Sequence, residues 1–156
     1  MNHDNRSGYS DNAPEILALQ KLAYVSEAET YNNFHIQPMT QSLDDLLREF
    51  ETHTVFKAVQ GGKIVGSVWT LFKNGTCHVG KLIVHPEAQN QGIGSALMRY
   101  LEDFYSEAER FELFTGDKSL RNLYLYEKLG YREFKREQVD YHLWLVYMEK
   151  PVLQVP

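Results

Sequence analysis

The sequence predicts an α+β (mixed α/β) domain, and three observations predict it. Three β-rich runs, TVFKAVQ (54–60), KIVGSVWTLFK (63–73) and TCHVGKLIV (76–84), are joined by two-residue Gly-Gly and Asn-Gly links. Such links suit type I′ turns, which need positive φ at both central residues, so 54–84 reads as an antiparallel meander. Helical periodicity flanks this meander on both sides, and a further pair of β-rich runs closes the chain. A length of 156 residues fits one domain spanning 1–156, and a chain 43% hydrophobic and 13% aromatic can fill its core.

Residues 1–13 are polar and turn-rich and read as a loose arm or a weak first strand. In 14–24 (PEILALQKLAY), Ile16, Leu19 and Leu22/Ala23 fall on one stripe behind a proline suited to a first helical turn. Residues 26–39 (SEAETYNNFHIQPM) show no clear period and read as a loop or broken helix. Ser42 caps a short helix, SLDDLLREF, with Asp45 three residues on, a variant of the capping box. After the meander, Ile93, Leu97, Tyr100/Leu101 and Phe104 recur at helical spacing from Gly92 onward. FELFTG (111–116) reads as a strand and NLYLYEKLG (122–130) as a short helix stopped by Gly130. REFKREQV (132–139) and HLWLVYMEK (142–150) read as a last hairpin.

Composition narrows the function classes. A net charge of −5 offers no basic surface for nucleic acid, while an acidic enzyme suits a cationic small molecule. One cysteine, Cys77, excludes a disulfide framework and a multi-thiol metal site, and fits a reducing cytosol. The first fifteen residues lack the apolar core of a signal peptide, and no apolar run is long enough to span a membrane, so a cytoplasmic protein is expected. The six histidines show no metal-ligand spacing, so no metal is expected. Cys77 and His78 are adjacent on a strand and point to opposite faces, which rules out a thiol–imidazole dyad; Cys77 reads as a small buried hydrophobe. Lys81, a charged residue in mid-strand, has no explanation in the sequence alone.

The segment HPEAQNQGIGSALM (85–98) places Gly92 and Gly94 where a strand gives way to a helix. A P-loop would need Lys after the second glycine, and Ser95-Ala96 follows instead. A dinucleotide fingerprint would need a third glycine at 97, which is Leu97. What remains, Gln89-x-x-Gly92-x-Gly94, resembles the acetyl-coenzyme A signature of the GNAT superfamily of N-acetyltransferases. The later LYLYEKLGY (123–131) resembles that family's second signature, a tyrosine-containing short helix ending in Gly-aromatic. The order of elements agrees over residues 14–149.

The resemblance implies a GNAT-like central mixed, mostly antiparallel sheet flanked by helices on both faces. It implies acetyl-CoA as co-substrate, with the pyrophosphate cradled by backbone N–H groups of Gln89, Asn90, Gln91, Gly92, Ile93, Gly94 and Ser95. The physics agrees: the first amides of a helix lack internal partners, the helix dipole adds positive potential, and glycine lets a phosphate come close. The main chain of Leu82, Ile83 and Val84 is expected to pair with the pantetheine amides. Tyr126 takes the place of the family's general acid, while Tyr124 reads as structural. Either Asn122 or Ser119 is expected to reach the cofactor, with Asn122 preferred. Family spacing puts the general base at His78, with Glu27 or Glu29 as rivals. Within 26–39, Glu27, Glu29, Tyr31 and Phe34 are expected to bind the acceptor, because carboxylates and aromatics suit an ammonium.

The expected function is acetyl transfer from acetyl-CoA to a small-molecule or peptide primary amine, by direct attack in a ternary complex. The alternative is a non-catalytic CoA-binding sensor or partner-binding module. No nucleic-acid or membrane partner is expected, and a homodimer is compatible with the chain.

Overall fold

The computed structural model describes residues 2–3 and 9–153. In chain order the elements are β1 (Asn2–His3), α1 (Tyr9–Ala23), α2 (Val25–Thr30), α3 (Gln37–Thr40), α4 (Leu43–Thr52), β2 (Thr54–Gln60), β3 (Lys63–Lys73) and β4 (Thr76–Val84). A 3₁₀ turn, Pro86–Ala88, leads to α5 (Ile93–Phe104), β5 (Arg110–Gly116), α6 (Leu120–Lys128), β6 (Arg132–Gln138) and β7 (Trp144–Pro151). The strands form one sheet in the order β1-β2-β3-β4-β5-β7-β6. Every neighbouring pair is antiparallel except β4 and β5, which are parallel and linked by α5.

Both hairpin turns of the meander are present, and its three strands begin and end where the sequence places them. Strand alternation sorts the core into two layers. Val55, Ile64 and Ile83 pack with Ala13, Ile16 and Leu19 of α1 and Leu46 of α4. Phe56, Ala58, Val68 and Val79 pack with Ile93, Leu97, Met98 and Leu101 of α5 and with Tyr126 of α6. Helices therefore cover both faces, and each fully buried aliphatic side chain contributes about 1.5–3 kcal/mol of transfer free energy.

The chain before residue 40 departs from the sequence expectation. Residues 9–13, expected in a loose arm, form the first turns of α1, and Pro14 lies inside the helix. Tertiary burial outweighs the backbone hydrogen bond that proline gives up: Ala13 is fully buried and extends the apolar stripe upstream of Ile16. Glu15 Oε2 adds a tie by accepting from the backbone N–H of Ile64 at 2.8 Å. Asn2 and His3 pair with Val59 and Ala58, so the weak first strand exists at its outer end. The rest of that arm, residues 1 and 4–8, lies outside the described residues. The 26–39 segment is a broken helix, with α2 and the single-turn α3 separated by a turn. Ser42 caps α4 as expected, its hydroxyl accepting from Asp45 N–H at 3.1 Å.

One irregularity opens the sheet. Against β3, Ser67 lies opposite Ile83 but Trp69 lies opposite Gly80, so two residues of β4, Lys81 and Leu82, oppose the single Val68. Lys81 occupies the left-handed region with φ +49°, which marks this as a bulge that bends the strand. Pairing between β4 and β5 covers only Thr76, Cys77 and His78 against Arg110, Phe111 and Glu112. Beyond His78 the two strands part, leaving a gap at the carboxyl ends of a parallel pair, the place where open sheets bind ligands.

Candidate functional site

A cleft of about 750 Å³ occupies that gap. Its walls are the end of β4, the start of α5, the start of α6 with the loop before it, and the junction of α1 and α2. Leu82, Ile83, Val84, Gln89, Asn90, Gly92, Ile93, Gly94, Ser95 and Asn122 all line it. Gln91 does not: its side chain turns away and accepts from Gln60 Nε2 at 3.1 Å.

The α5 end of the cleft is built for close approach. Gly92 is the N-cap residue at φ +79°, with no side-chain cap on the helix. The first internal bond runs from Ala96 N–H to Gly92 C=O at 2.9 Å, so the amides of Ile93, Gly94 and Ser95 precede the helical ladder. A Cβ on Gly92 would meet nothing within 4 Å, whereas one on Gly94 would meet Leu125 at 3.4 Å and Leu82 and Val84 at 3.8 Å. Gly94 thus floors the narrow part of the cleft between β4 and α6. Opposite it, the β5-facing edge of β4 past His78 has no ladder partner, which suits main-chain pairing by Leu82, Ile83 and Val84. Lys118, Arg121 and Lys128 also line the cleft, and Arg121 Nη1 donates to Gln89 Oε1. These cations were not singled out from the sequence, although Arg121 stands just before the tyrosine motif and Lys128 lies inside it, and their charge suits a phosphate-bearing ligand.

The other end of the cleft is acidic and aromatic. Glu27 lines it, and Glu27 Oε2 accepts from Ser119 Oγ at 2.7 Å. Ser119 and Asn122 both line the cleft; Asn122 Nδ2 donates to Thr115 Oγ1 at 3.3 Å. Tyr24, which sequence reasoning missed, stands beside Glu27. Burial pushes the Tyr24 hydroxyl well above the ordinary tyrosine value, and the charges of Glu27 and Glu49 add to the shift. Tyr126 is buried under the cleft rather than on its surface, with its ring 6.0 Å from that of Tyr131. Burial likewise holds the Tyr126 hydroxyl protonated well past the ordinary range, with Tyr24 and Glu27 as the acting neighbours. Tyr124 is exposed and lines the cleft, where the sequence suggested a structural part.

The remaining expected acceptor residues are not gathered here. Tyr31 is buried outside the cleft, and its hydroxyl accepts from Lys118 N–H at 2.7 Å. Glu29 and Phe34 are exposed and do not line it. His78 lies where β4 and β5 are still paired, with Nδ1 3.9 Å from Glu112 Oε2, and is outside the cleft. Family spacing pointed to His78, and the opening between β4 and β5 begins beyond it.

Lys81 now has an explanation. Lys81 Nζ donates to Glu49 Oε1 and Oε2 at 2.9 and 3.0 Å and to Gln41 Oε1 at 2.9 Å, and Gln20 Nε2 donates to the same Gln41 oxygen. Burial pulls the ammonium below its ordinary value and Glu49 opposes that shift. Among the described residues, no cluster of His, Cys, Asp and Glu could hold a metal ion, and no helix is long and apolar enough to cross a membrane.

Comparison with known proteins agrees with this geometry. A family model described as an acetyltransferase (GNAT) domain matches residues 17–152. A curated relative, the UPF0157 protein YqkA of Bacillus subtilis (strain 168), is 27% identical over 121 residues. That match covers 78% of this chain but only 35% of the relative, so the chain spans about a third of that protein's length. Among solved structures, an aminoglycoside 6'-acetyltransferase type Ii superposes with TM-score 0.78 at 17% identity, over 100% of both chains. The PaiA N-acetyltransferase of Thermoplasma acidophilum, solved in complex with coenzyme A, superposes with TM-score 0.77 at 15% identity, over 97% of this chain and 100% of the other.

Proposed function

The chain belongs to the GNAT acetyltransferase family, and from that membership we propose that it transfers an acetyl group from acetyl-CoA to a primary amine by direct attack in a ternary complex. The observation that carries this reading is the parting of β4 and β5 beside the uncapped start of α5, which makes one continuous cleft from helix amides to Glu27. Acetyl-CoA supplies the activated acyl group as a thioester with a thiolate leaving group. The amides of Ile93, Gly94 and Ser95 would hold its pyrophosphate, with Arg121 and Lys128 adding charge. Leu82, Ile83 and Val84 would pair with the pantetheine amides, and the gap would present the carbonyl to an amine arriving from the α2 side.

Tyr126 is the general acid of this reading. A neutral hydroxyl is what a departing thiolate needs, and burial keeps Tyr126 neutral throughout the working range. Glu27 would face the acceptor's ammonium, whereas Glu29, Tyr31 and Phe34 take no direct part. His78 carries no step in this reading: it lies where β4 is still paired with β5, outside the cleft. The acceptor is a small-molecule amine or a peptide amine. YqkA is much longer than this chain, so the reading concerns the domain and not a larger protein.

Thiol release from acetyl-CoA, measured with spermidine, lysine, kanamycin and an alanine-ended peptide, tests the reading. Amine-dependent release with an acetylated product is the expected result. CoA binding with no release from any amine would leave a non-catalytic CoA-binding module in its place.

A further inference from the structure

We infer that the ring of Tyr24 sets the length of acyl chain this site accepts, admitting acetyl-CoA and turning away longer acyl-CoA thioesters; the inference rests on the acyl-CoA reading of the cleft. Tyr24 stands where α1 ends and α2 begins, and it lines the cleft. Its side chain packs on the layer in which α1 and α4 cover Val55, Ile64 and Ile83. Tyr126 belongs to the other layer, the one under α5. In a closed sheet the strands would keep the two layers apart. Here the ladder between β4 and β5 stops at His78, and Tyr24 and Tyr126 come within electrostatic reach of one another. Tyr24 therefore closes, from the α1 side, the gap that the α5 side leads into.

This wall stands on fixed supports. Tyr24 N–H donates to Gln20 C=O at 3.0 Å, and Ala28 N–H donates to Tyr24 C=O at 2.9 Å, so the junction is bonded on both sides. Gln20 is buried, and its Nε2 donates to Gln41 Oε1 at 2.9 Å and to Pro38 C=O at 3.0 Å. The same Gln41 oxygen accepts from Lys81 Nζ, at the bulge of β4. One polar network thus ties the turn that carries Tyr24 to the strand across the gap. A wall supported in this way discriminates by size, because forcing extra methylenes against packed side chains costs about 1–3 kcal/mol.

The chemistry of this end sorts the two groups that meet in it. With the pyrophosphate at the α5 amides and the sulfur over Tyr126, the acyl chain continues past the carbonyl toward Tyr24. Ala23, Tyr24 and Ile83 line that end of the cleft and pack in one apolar cluster. Burial keeps the Tyr24 hydroxyl uncharged, so the wall is neutral. Glu27, three residues further on, offers the carboxylate that an ammonium requires once it leaves water. The acyl methyl therefore faces Tyr24 and the amine faces Glu27. An acetyl group ends at the ring, and each further methylene would have to displace it.

The test compares acetyl-CoA with butyryl-CoA on the wild type, Tyr24→Ala and Tyr24→Phe. Binding is read by calorimetry without any amine, and kcat/KM with the best acceptor of the four-amine panel. The wild type is expected to favour acetyl-CoA over butyryl-CoA at least tenfold in both readouts, the size one surplus methylene commands in a fixed pocket. Tyr24→Ala removes the ring and should shift that ratio toward butyryl-CoA by about tenfold or more. Tyr24→Phe keeps the ring and should keep the wild-type ratio. An unchanged ratio in Tyr24→Ala, a relaxed ratio in Tyr24→Phe, or a wild type that takes butyryl-CoA as well as acetyl-CoA would each overturn the assignment while acetyl transfer stands. If Tyr24→Ala does not fold, Tyr24→Leu, apolar but shorter, carries the test, and an unchanged ratio there overturns the assignment. A wild type that shows the preference in binding but releases thiol with no amine overturns acetyl transfer and leaves the wall in place. A wild type that binds neither thioester overturns both.

Discussion

Gly92 and Gly94 do different work two residues apart. Gly92 is at φ +79°, a conformation that costs an ordinary L-residue about 1–2 kcal/mol, so any substitution there disturbs the turn as well as the ligand. Gly94 has no such backbone demand, and a side chain on it would grow toward Leu125, Leu82 and Val84 in the throat of the cleft. Gly94→Val is therefore the cleaner probe. It is expected to weaken CoA binding by at least tenfold, about 1.4 kcal/mol, with far-UV circular dichroism unchanged. Wild-type affinity by calorimetry would remove the pyrophosphate from this position. Tyr126→Phe deletes one hydroxyl and keeps the ring packed on Tyr131. Turnover should drop about 10²-fold with CoA affinity retained, and full turnover would take the acid role from Tyr126. The place of Gly92 and Gly94 at the start of a helix was legible in the sequence because glycine spacing is local, and the short helix that carries Tyr126 was legible from its own spacing. Tyr24 and Ser119–Glu27 were not legible as partners, since 92 residues separate that hydrogen-bonded pair and no periodicity reports such a contact. That His78 falls outside the cleft was not legible for the converse reason: a count along the chain is blind to where two strands part.

At the scale of elements, the bulge in β4 bends the strand where it borders the cleft. Its anchor is an ion pair reaching from the strand to α4, with Lys81 and Glu49 side chains 12% and 27% exposed. Removing one partner would strand the other with little water. Lys81→Met is expected to destabilise the protein by about 3 kcal/mol, the low end for a buried pair because Glu49 keeps some exposure. Lys81→Met combined with Glu49→Met should recover part of that loss in urea titrations. Additive losses would mean that the two residues do not act as a pair. The meander was readable to the residue because Gly61-Gly62 and Asn74-Gly75 set its turns by local chemistry. The bulge was not, because Lys81 is held by Gln41 and Glu49, 40 and 32 residues away. The start of α1 was misjudged for a similar reason. Local rules put Pro14 in a first turn, whereas burial of Ala13 against β-strands decides where the helix begins.

Over the whole molecule, burial of weak acids gives stability a pH dependence of definite sign. Burial pushes the Cys77 thiol up to about 12, with Glu102 adding to it. It raises the Tyr24, Tyr126 and Tyr131 hydroxyls in the same sense. Each group's pKa is higher folded than unfolded, so its contribution is fully present below the unfolded value and is lost as pH climbs through the folded one. The melting temperature should therefore fall steadily above pH about 9, where an unfolded thiol begins to ionise. A melting temperature that stays level from pH 8 to 11 would contradict the burial of these groups. The same burial keeps the Tyr126 hydroxyl protonated through the pH range where amines lose their own proton.

The sharpest test of direct transfer within one cleft is an initial-velocity study with acetyl-CoA and the best amine varied together. A ternary complex, with the thioester along β4 and the amine at Glu27, predicts double-reciprocal lines that intersect. It also predicts that the protein incubated with acetyl-CoA alone keeps an unmodified mass. Parallel lines together with an acetylated protein would show that the acetyl group passes through a covalent stop on the chain, and would contradict direct attack.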